Sequence, residues 1–184
     1  MLETRAPLPP GWILEAEGLR VRALEPAPAF ELRADAVALQ AACAALGLAA
    51  PAPCGSAQAG GRAVLWLGPD ALLLLGEPAA PDFETARLGA ALAGRAHALV
   101  ETTGAEAALE LEGPAAADLL SSAVMLDLDA GAFPAGSCAR TLFGKAPALL
   151  WRPERERFVL RTPRSCARYA LGLLRTGAAG LAPA

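Results

Sequence analysis

The chain has 184 residues, enough for one compact domain built of two small halves, and a domain of this size buries roughly 70% of its unfolded surface without needing staples. Its net charge is −3, with Lys145 the only lysine among 16 basic residues, so no basic field exists to hold a nucleic-acid backbone or an anionic membrane. The hydrophobic fraction of 54% overstates the core, because alanine, a helix former and space filler, supplies much of it.

The opening MLETRAPLPPGW places Glu3 and prolines where a signal peptide needs an unbroken apolar run, and no window approaches the ~18 apolar residues of a membrane span. A cytoplasmic location is expected. Residues 1–29 read as an arm with one short strand near 19–24. FELRAD at 30–35 alternates like a strand and ends on Asp35, an N-cap for a helix whose Leu39, Ala42, Cys43 and Leu46 share a face.

Residues 49–61 have linker composition and read as an exposed loop. The runs 63–67 and 71–75 flank Gly68-Pro69-Asp70, a hairpin turn in which proline fixes φ and aspartate can bond its own backbone. A helix follows from Asp82 to about Ala93, with Leu88, Ala91 and Leu92 facing inward.

The same grammar then restarts. Runs at 98–103 and 107–113 read as half-buried strands, the second with Leu109 and Leu111 inward and Glu110 and Glu112 wet. Pro114 suits the first turn of a helix, 124–137 is loop-like, and CARTLFG, APALLWR and RFVLRTP read as strands. Pro163 opens a closing helix with Cys166, Tyr169, Ala170, Leu173 and Leu174 at core spacing. The resulting fold class is α+β: two similar strand-helix-hairpin-helix units with mainly antiparallel pairing, their helices over a common sheet. The boundaries are an arm at 1–29, a first half at 30–95, a second half at 96–177 and a tail at 178–184.

Chemistry-bearing constellations are sparse. His97 is the one histidine, and Cys43, Cys54, Cys138 and Cys166 form no CxxC pair, so neither the imidazole set nor the thiolate cluster of a metal site is present and free thiols are expected. There is no GxSxG elbow; FGKAP at 143–147 lacks the Ser/Thr and upstream glycine of a phosphate loop, and GSAQAGG at 55–61 lacks dinucleotide spacing. The carboxylates Glu101, Glu110, Glu112, Asp127 and Asp129 read as solvated.

An ordered set of residues in the second half nevertheless carries a family pattern. Gly113-Pro114 is followed by Leu119-Leu120, then Leu126-Asp127-Leu128 before Phe133-Pro134, then Gly136-Ser137-Cys138-Ala139. Leu142 with Gly144-Lys145, the LLWR strand, and Pro163-Arg164-Ser165 leading into a helix with Tyr169 complete it. Over about 98–175, with the hairpin at 66–74, the chain resembles the gamma subunits of heterotetrameric sarcosine oxidases. The resemblance implies a fold like the folate-binding part of the glycine-cleavage T-protein, and a noncatalytic role beside alpha, beta and delta subunits. FAD, FMN, NAD, zinc and tetrahydrofolate would all sit on those partners, and none in this chain. No catalytic, cofactor-binding or metal-binding residue carries over, and Val100-Glu101-Thr102-Thr103 stands where relatives often show Asp then Ser. A free-standing folate-binding or one-carbon-transfer protein on the same fold is the alternative.

The expected contact surface is basic. Steps of 100° bring Arg164, Arg168 and Arg175 within about 40° on the closing helix, opposite its core stripe. Arg140 and Lys145 in the neighbouring 136–147 segment extend this ridge toward a larger subunit.

Overall fold

The computed structural model describes residues 6–76 and 81–180, which fall into two units: residues 27–103, and residues 6–26 with 104–180. In chain order the elements are β1 (Gly11–Ala16), β2 (Leu19–Ala23), β3 (Ala29–Ala34), α1 (Ala36–Ala45), β4 (Ser56–Ala59), β5 (Arg62–Gly68), β6 (Ala71–Leu75) and α2 (Pro81–Leu92). Then come β7 (His97–Glu101), β8 (Glu106–Glu112), α3 (Ala116–Ser121), β9 (Cys138–Phe143), β10 (Ala146–Glu154), β11 (Arg157–Pro163) and α4 (Ala167–Ala179), the last entered through a 3₁₀ turn at Arg164–Cys166. Every strand pairing among the described residues is antiparallel.

The unit of residues 27–103 has one five-stranded sheet in the order β4-β5-β6-β3-β7. Its central strand, β6, reads ALLLL and is buried along its whole length, as a strand covered on both faces must be. Leu72 and Leu74 join Phe30, Leu32 and Val64 in a cluster closed by Ala38, Ala42 and Cys43 of α1 and Leu88 and Leu92 of α2. Asp35 caps α1 as its sequence position predicts: Oδ1 accepts the Ala38 N–H at 2.8 Å. The Pro69-Asp70 turn closes the β5–β6 hairpin, with Gly68 opposite Ala71.

Two expectations change here. Residues 56–59 form a strand paired with β5, not part of an open loop; an outer strand carrying Ser56 and Gln58 has little apolar alternation to announce it. The run near 98–103 does not open the second half either, because β7 pairs with β3 and completes the first sheet. The described residues therefore form two sheets, where the sequence suggested one shared sheet.

The other unit carries a six-stranded sheet in the order β1-β2-β8-β11-β10-β9. Residues 11–23, expected as part of an arm, supply two of those strands, and β2 lies against β8 with Val21 opposite Leu111. Leu109, Leu111, Leu150, Phe158 and Leu160 on one face meet Leu119 and Leu120 of α3 and Ala170 and Leu174 of α4 in the core. The helix α4 runs on to Ala179, so buried Ala178 belongs to it and not to a tail; residues 1–5 and 181–184 lie outside the described residues.

Two residues fix the local geometry after β8 and before β11. Gly113 has φ +119°, and a Cβ there would drive into the Gly18 carbonyl, whose oxygen accepts the Ala115 N–H at 3.1 Å. The buried Arg152 guanidinium donates through Nη1 to the Leu128 and Phe133 carbonyls at 3.0 and 2.7 Å, and through Nε and Nη2 to the Arg155 carbonyl at 3.0 and 2.6 Å. It also lies over the Phe158 ring at 4.7 Å. One side chain thus holds the irregular segment 124–137 onto the sheet.

Candidate interaction surface

The closing helix is out of phase with its sequence reading by one residue. Its buried stripe is Ala167, Ala170, Leu171, Leu174 and Ala178, while Tyr169 turns outward at 42% exposure and Leu173 is only partly buried. The 3₁₀ turn after Pro163 takes Cys166 out of the α-helix. Arg164 sits in that turn. Its N–H donates to the Ala105 carbonyl at 3.0 Å and its Nη1 to the Gly104 carbonyl at 3.3 Å, which holds it beside the entry to β8 and apart from the helical row. Arg168 and Arg175 remain exposed, two turns and about 10 Å apart along the axis, within about 20° in azimuth.

The β9–β10 hairpin docks on this helix. Gly144, at φ +59°, and Lys145 form its two-residue turn between Phe143 and Ala146. The Lys145 N–H donates to the Tyr169 hydroxyl at 3.1 Å. A Cβ on residue 144 would fall 2.5 Å from that hydroxyl and 2.6 Å from Leu173 Cδ1, side-chain ends that would have to shift, while the positive φ itself favours glycine. Behind the turn, the Gly144 N–H donates to the Ala123 carbonyl at 2.7 Å and Val124 bridges Phe143, which sets Met125 beside Leu142.

Large apolar side chains near this hairpin are exposed. Met125 is 93% exposed and Leu142 49%; Leu142 lies on the face of β9 opposite Phe143 and the core, whereas the exposed Tyr169 belongs to α4, which packs on the core face. Arg140 shares the face of β9 that carries Leu142; Lys145 and Arg168 flank Tyr169. The structure therefore divides the predicted ridge: Arg140 shares a sheet face with Leu142, Lys145 and Arg168 stand beside Tyr169, Arg175 lies farther along the helix, and Arg164 sits in the turn before it. Met125 and Leu142 sit among short strands and loops where an apolar residue reads as core, and Tyr169 was assigned to the inner stripe.

The sheet face of β2, β8 and β11 that points away from the core holds an ion-pair ladder. Glu110, expected to be wet, is 4% exposed. It accepts from the Arg22 guanidinium, and Arg157 Nη1 stands 3.9 Å away. Burial pushes the Glu110 carboxyl up from its ordinary range, against the pull of Arg22. Arg161 pairs with Glu106 at 2.8 Å, and Arg20 stacks over Trp12 at 3.8 Å. Arginines from strands far apart in sequence supply what lets a glutamate sit inside.

A cleft of about 500 Å³ opens beside Pro114, Asp118, Leu126, Asp129, Arg152 and Phe158. Its acids face their own loop: Asp127 Oδ1 accepts the Asp129 N–H at 3.0 Å and Asp129 Oδ1 the Gly131 N–H at 2.8 Å, while the Arg152 nitrogens are spent on carbonyls. Among the described residues no group of three or more His, Cys, Asp or Glu side chains could hold a metal ion, and no helix is long and apolar enough to cross a membrane. His97 is exposed on β7, with Nδ1 2.8 Å from the Arg95 carbonyl oxygen. All four cysteines are free thiols, and burial pushes the Cys43 thiol up to about 11.

Residues 32–180 match the family model described as "Sarcosine oxidase, gamma subunit family". The chain is 37% identical over 113 residues to the sarcosine oxidase subunit gamma of Arthrobacter sp., covering 59% of this chain and 54% of that one. It is 36% identical over 111 residues to the same subunit of Corynebacterium sp. strain U-96, covering 59% and 53%. The chain thus spans about half the length of the curated relatives it matches. Among solved structures, a chain of the heterotetrameric sarcosine oxidase of Corynebacterium sp. U-96, in complex with pyrrole 2-carboxylate, superposes with a TM-score of 0.85 at 26% identity over 94% of this chain and 90% of that one. The glycine cleavage system aminomethyltransferase T of Bartonella henselae matches with a TM-score of 0.59 at 16% identity, covering 80% of this chain and 42% of its own, a likeness of fold alone.

Proposed function

Because the chain belongs to the sarcosine oxidase gamma subunit family, we propose that it is a noncatalytic member of a heterotetrameric sarcosine oxidase. That assembly oxidatively demethylates sarcosine to glycine, forms hydrogen peroxide and passes the one-carbon unit to tetrahydrofolate. The observation that carries this reading is the near full-length superposition on a chain of such a heterotetramer. The partners are the alpha, beta and delta subunits in the cytoplasm, and FAD, FMN, NAD, zinc and tetrahydrofolate belong to them. The alternative of a free-standing folate-binding or one-carbon-transfer protein draws only on the fold shared with the aminomethyltransferase.

In this reading the β9–β10 hairpin and the exposed side of α4 meet a larger subunit, through Leu142 and Arg140 on the strand and through Tyr169, Lys145 and Arg168 at the turn and helix, with Arg164 and Arg175 the outlying members of the ridge. Exposed apolar side chains with cations beside them fit a partner surface that is apolar in part and acidic. The test is co-expression with the other three subunits, one of them affinity-tagged, using Leu142→Asp, Lys145→Glu and Arg168→Glu. Leu142→Asp is expected to cost about 2–4 kcal/mol of binding and each charge reversal about 1–2 kcal/mol, seen as loss of this chain from the eluate. Full retention of all three variants at physiological salt moves the contact elsewhere on the molecule.

A further inference from the structure

The cleft beside α3 lies at the far end of the six-stranded sheet from the β9–β10 turn. β10 begins at Ala146, next to that turn, and ends at Glu154, next to the cleft, and its nine residues span about 26 Å. One short partner segment cannot reach both places. The walls of the cleft are apolar: Pro114, Ala117 and Leu126 line it with the buried Phe158.

Its charge is negative. Asp118 of α3, Asp127 and Asp129 of the segment that follows, and Glu156 of the β10–β11 turn bring four exposed carboxylates to it, against the two guanidiniums of Arg152 and Arg155. Arg152 is buried and gives its donors to the Leu128, Phe133 and Arg155 carbonyls. None of the four acids makes an ion pair among the described residues, whereas Glu106, Glu110 and Glu154 are each met by an arginine. Backbone N–H groups take one oxygen each of Asp127 and Asp129, which leaves the second oxygen of each without a donor.

We propose that this cleft receives a basic segment of a partner subunit: an arginine or lysine whose methylene stem packs along Pro114, Ala117 and Leu126 and whose charged head stands among the Asp118, Asp127 and Asp129 carboxylates. A long basic side chain suits both features of the cleft. A purely apolar occupant would strip water from four carboxylates and return no counter-charge, and an acidic one would be repelled. The inference rests on the assembly proposed above and adds to it a second contact, opposite in sign to the one at the β9–β10 turn and α4.

The test is carboxyl footprinting of the free full chain and of the co-purified four-chain particle, with carbodiimide-activated glycine ethyl ester as the label and mass spectrometry as the readout. Asp118 and Glu156 are expected to label in the free chain and to lose that labelling in the particle. A variant supplies the second measurement: Asp118→Lys with Glu156→Lys leaves the Asp127 and Asp129 bonds untouched and is expected to raise the dissociation constant of this chain from the particle roughly tenfold or more. The footprint on the unmutated chain decides the matter however that variant folds. Assembly with Asp118 and Glu156 labelled as fully as in the free chain overturns the cleft contact and leaves the assembly standing, and so does a doubly reversed chain that assembles as tightly as the wild type. A wild-type chain that joins no particle overturns the assembly, and this contact with it.

Discussion

Gly113→Ala is expected to destabilise the unit that holds the six-stranded sheet by about 3 kcal/mol or more. The backbone at φ +119° is one that an L side chain rarely adopts, and this alone costs about 1–3 kcal/mol. The new Cβ would also meet the backbone carbonyl of Gly18, which cannot swing aside as a side chain could, because Ala115 donates to it and Gly18 forms the turn between β1 and β2. Urea unfolding measures the loss. Gly172→Ala in α4 is the control: its Cβ would meet nothing within 4 Å, and the helix gains up to about 1 kcal/mol. A shift below about 0.5 kcal/mol for Gly113→Ala means that the chain relaxes at this crossing and the account of it is wrong.

Arg152→Ala is expected to cost about 3–5 kcal/mol. It removes a buried guanidinium and leaves the Leu128, Phe133 and Arg155 carbonyls without its donors, two of the four bonds being fully buried. Lysine should not rescue, because a point charge with three donors cannot reproduce a planar fork that reaches the Leu128 and Phe133 carbonyls inside the 124–137 segment and the Arg155 carbonyl beyond it. Limited proteolysis separates a local effect from a global one: cleavage within 124–137 should rise before the rest of the unit unfolds. Arg152→Lys with wild-type stability and protection would show that charge, and not fork geometry, holds the segment.

Both residues belong to the pattern that first suggested a family, Gly113-Pro114 and the LLWR strand, and the structure gives each a mechanical reason. What was legible in the sequence was local. Asp35 reads as a cap because its carboxylate needs only the N–H three residues on, and the Pro69-Asp70 turn because its neighbours are adjacent in the chain. The α+β class followed from such elements. Pairing between distant strands did not: periodicity says which face of β8 is apolar but not that β2, some ninety residues earlier, lies beside it. Glu110 was misread for the same reason, since the Arg22 that makes its burial tolerable is 88 residues away. Within the closing helix the error was one of phase: Tyr169 and Leu173 are apolar enough to read as core, and Ala167 and Leu171, one residue round, take those places. The slip puts Tyr169 on the surface, where its hydroxyl accepts the Lys145 N–H.

The central claim is membership of a four-subunit oxidase, and it meets its most direct test in assembly. The full chain is co-expressed with the alpha, beta and delta subunits of a sarcosine oxidase from the same source, the beta subunit tagged, and the eluate is resolved by sedimentation and intact mass. The account predicts one particle containing all four chains, with this chain in equimolar amount and sarcosine oxidation present in that particle. A particle of alpha, beta and delta alone that oxidises sarcosine, with this chain sedimenting separately at physiological salt, contradicts it.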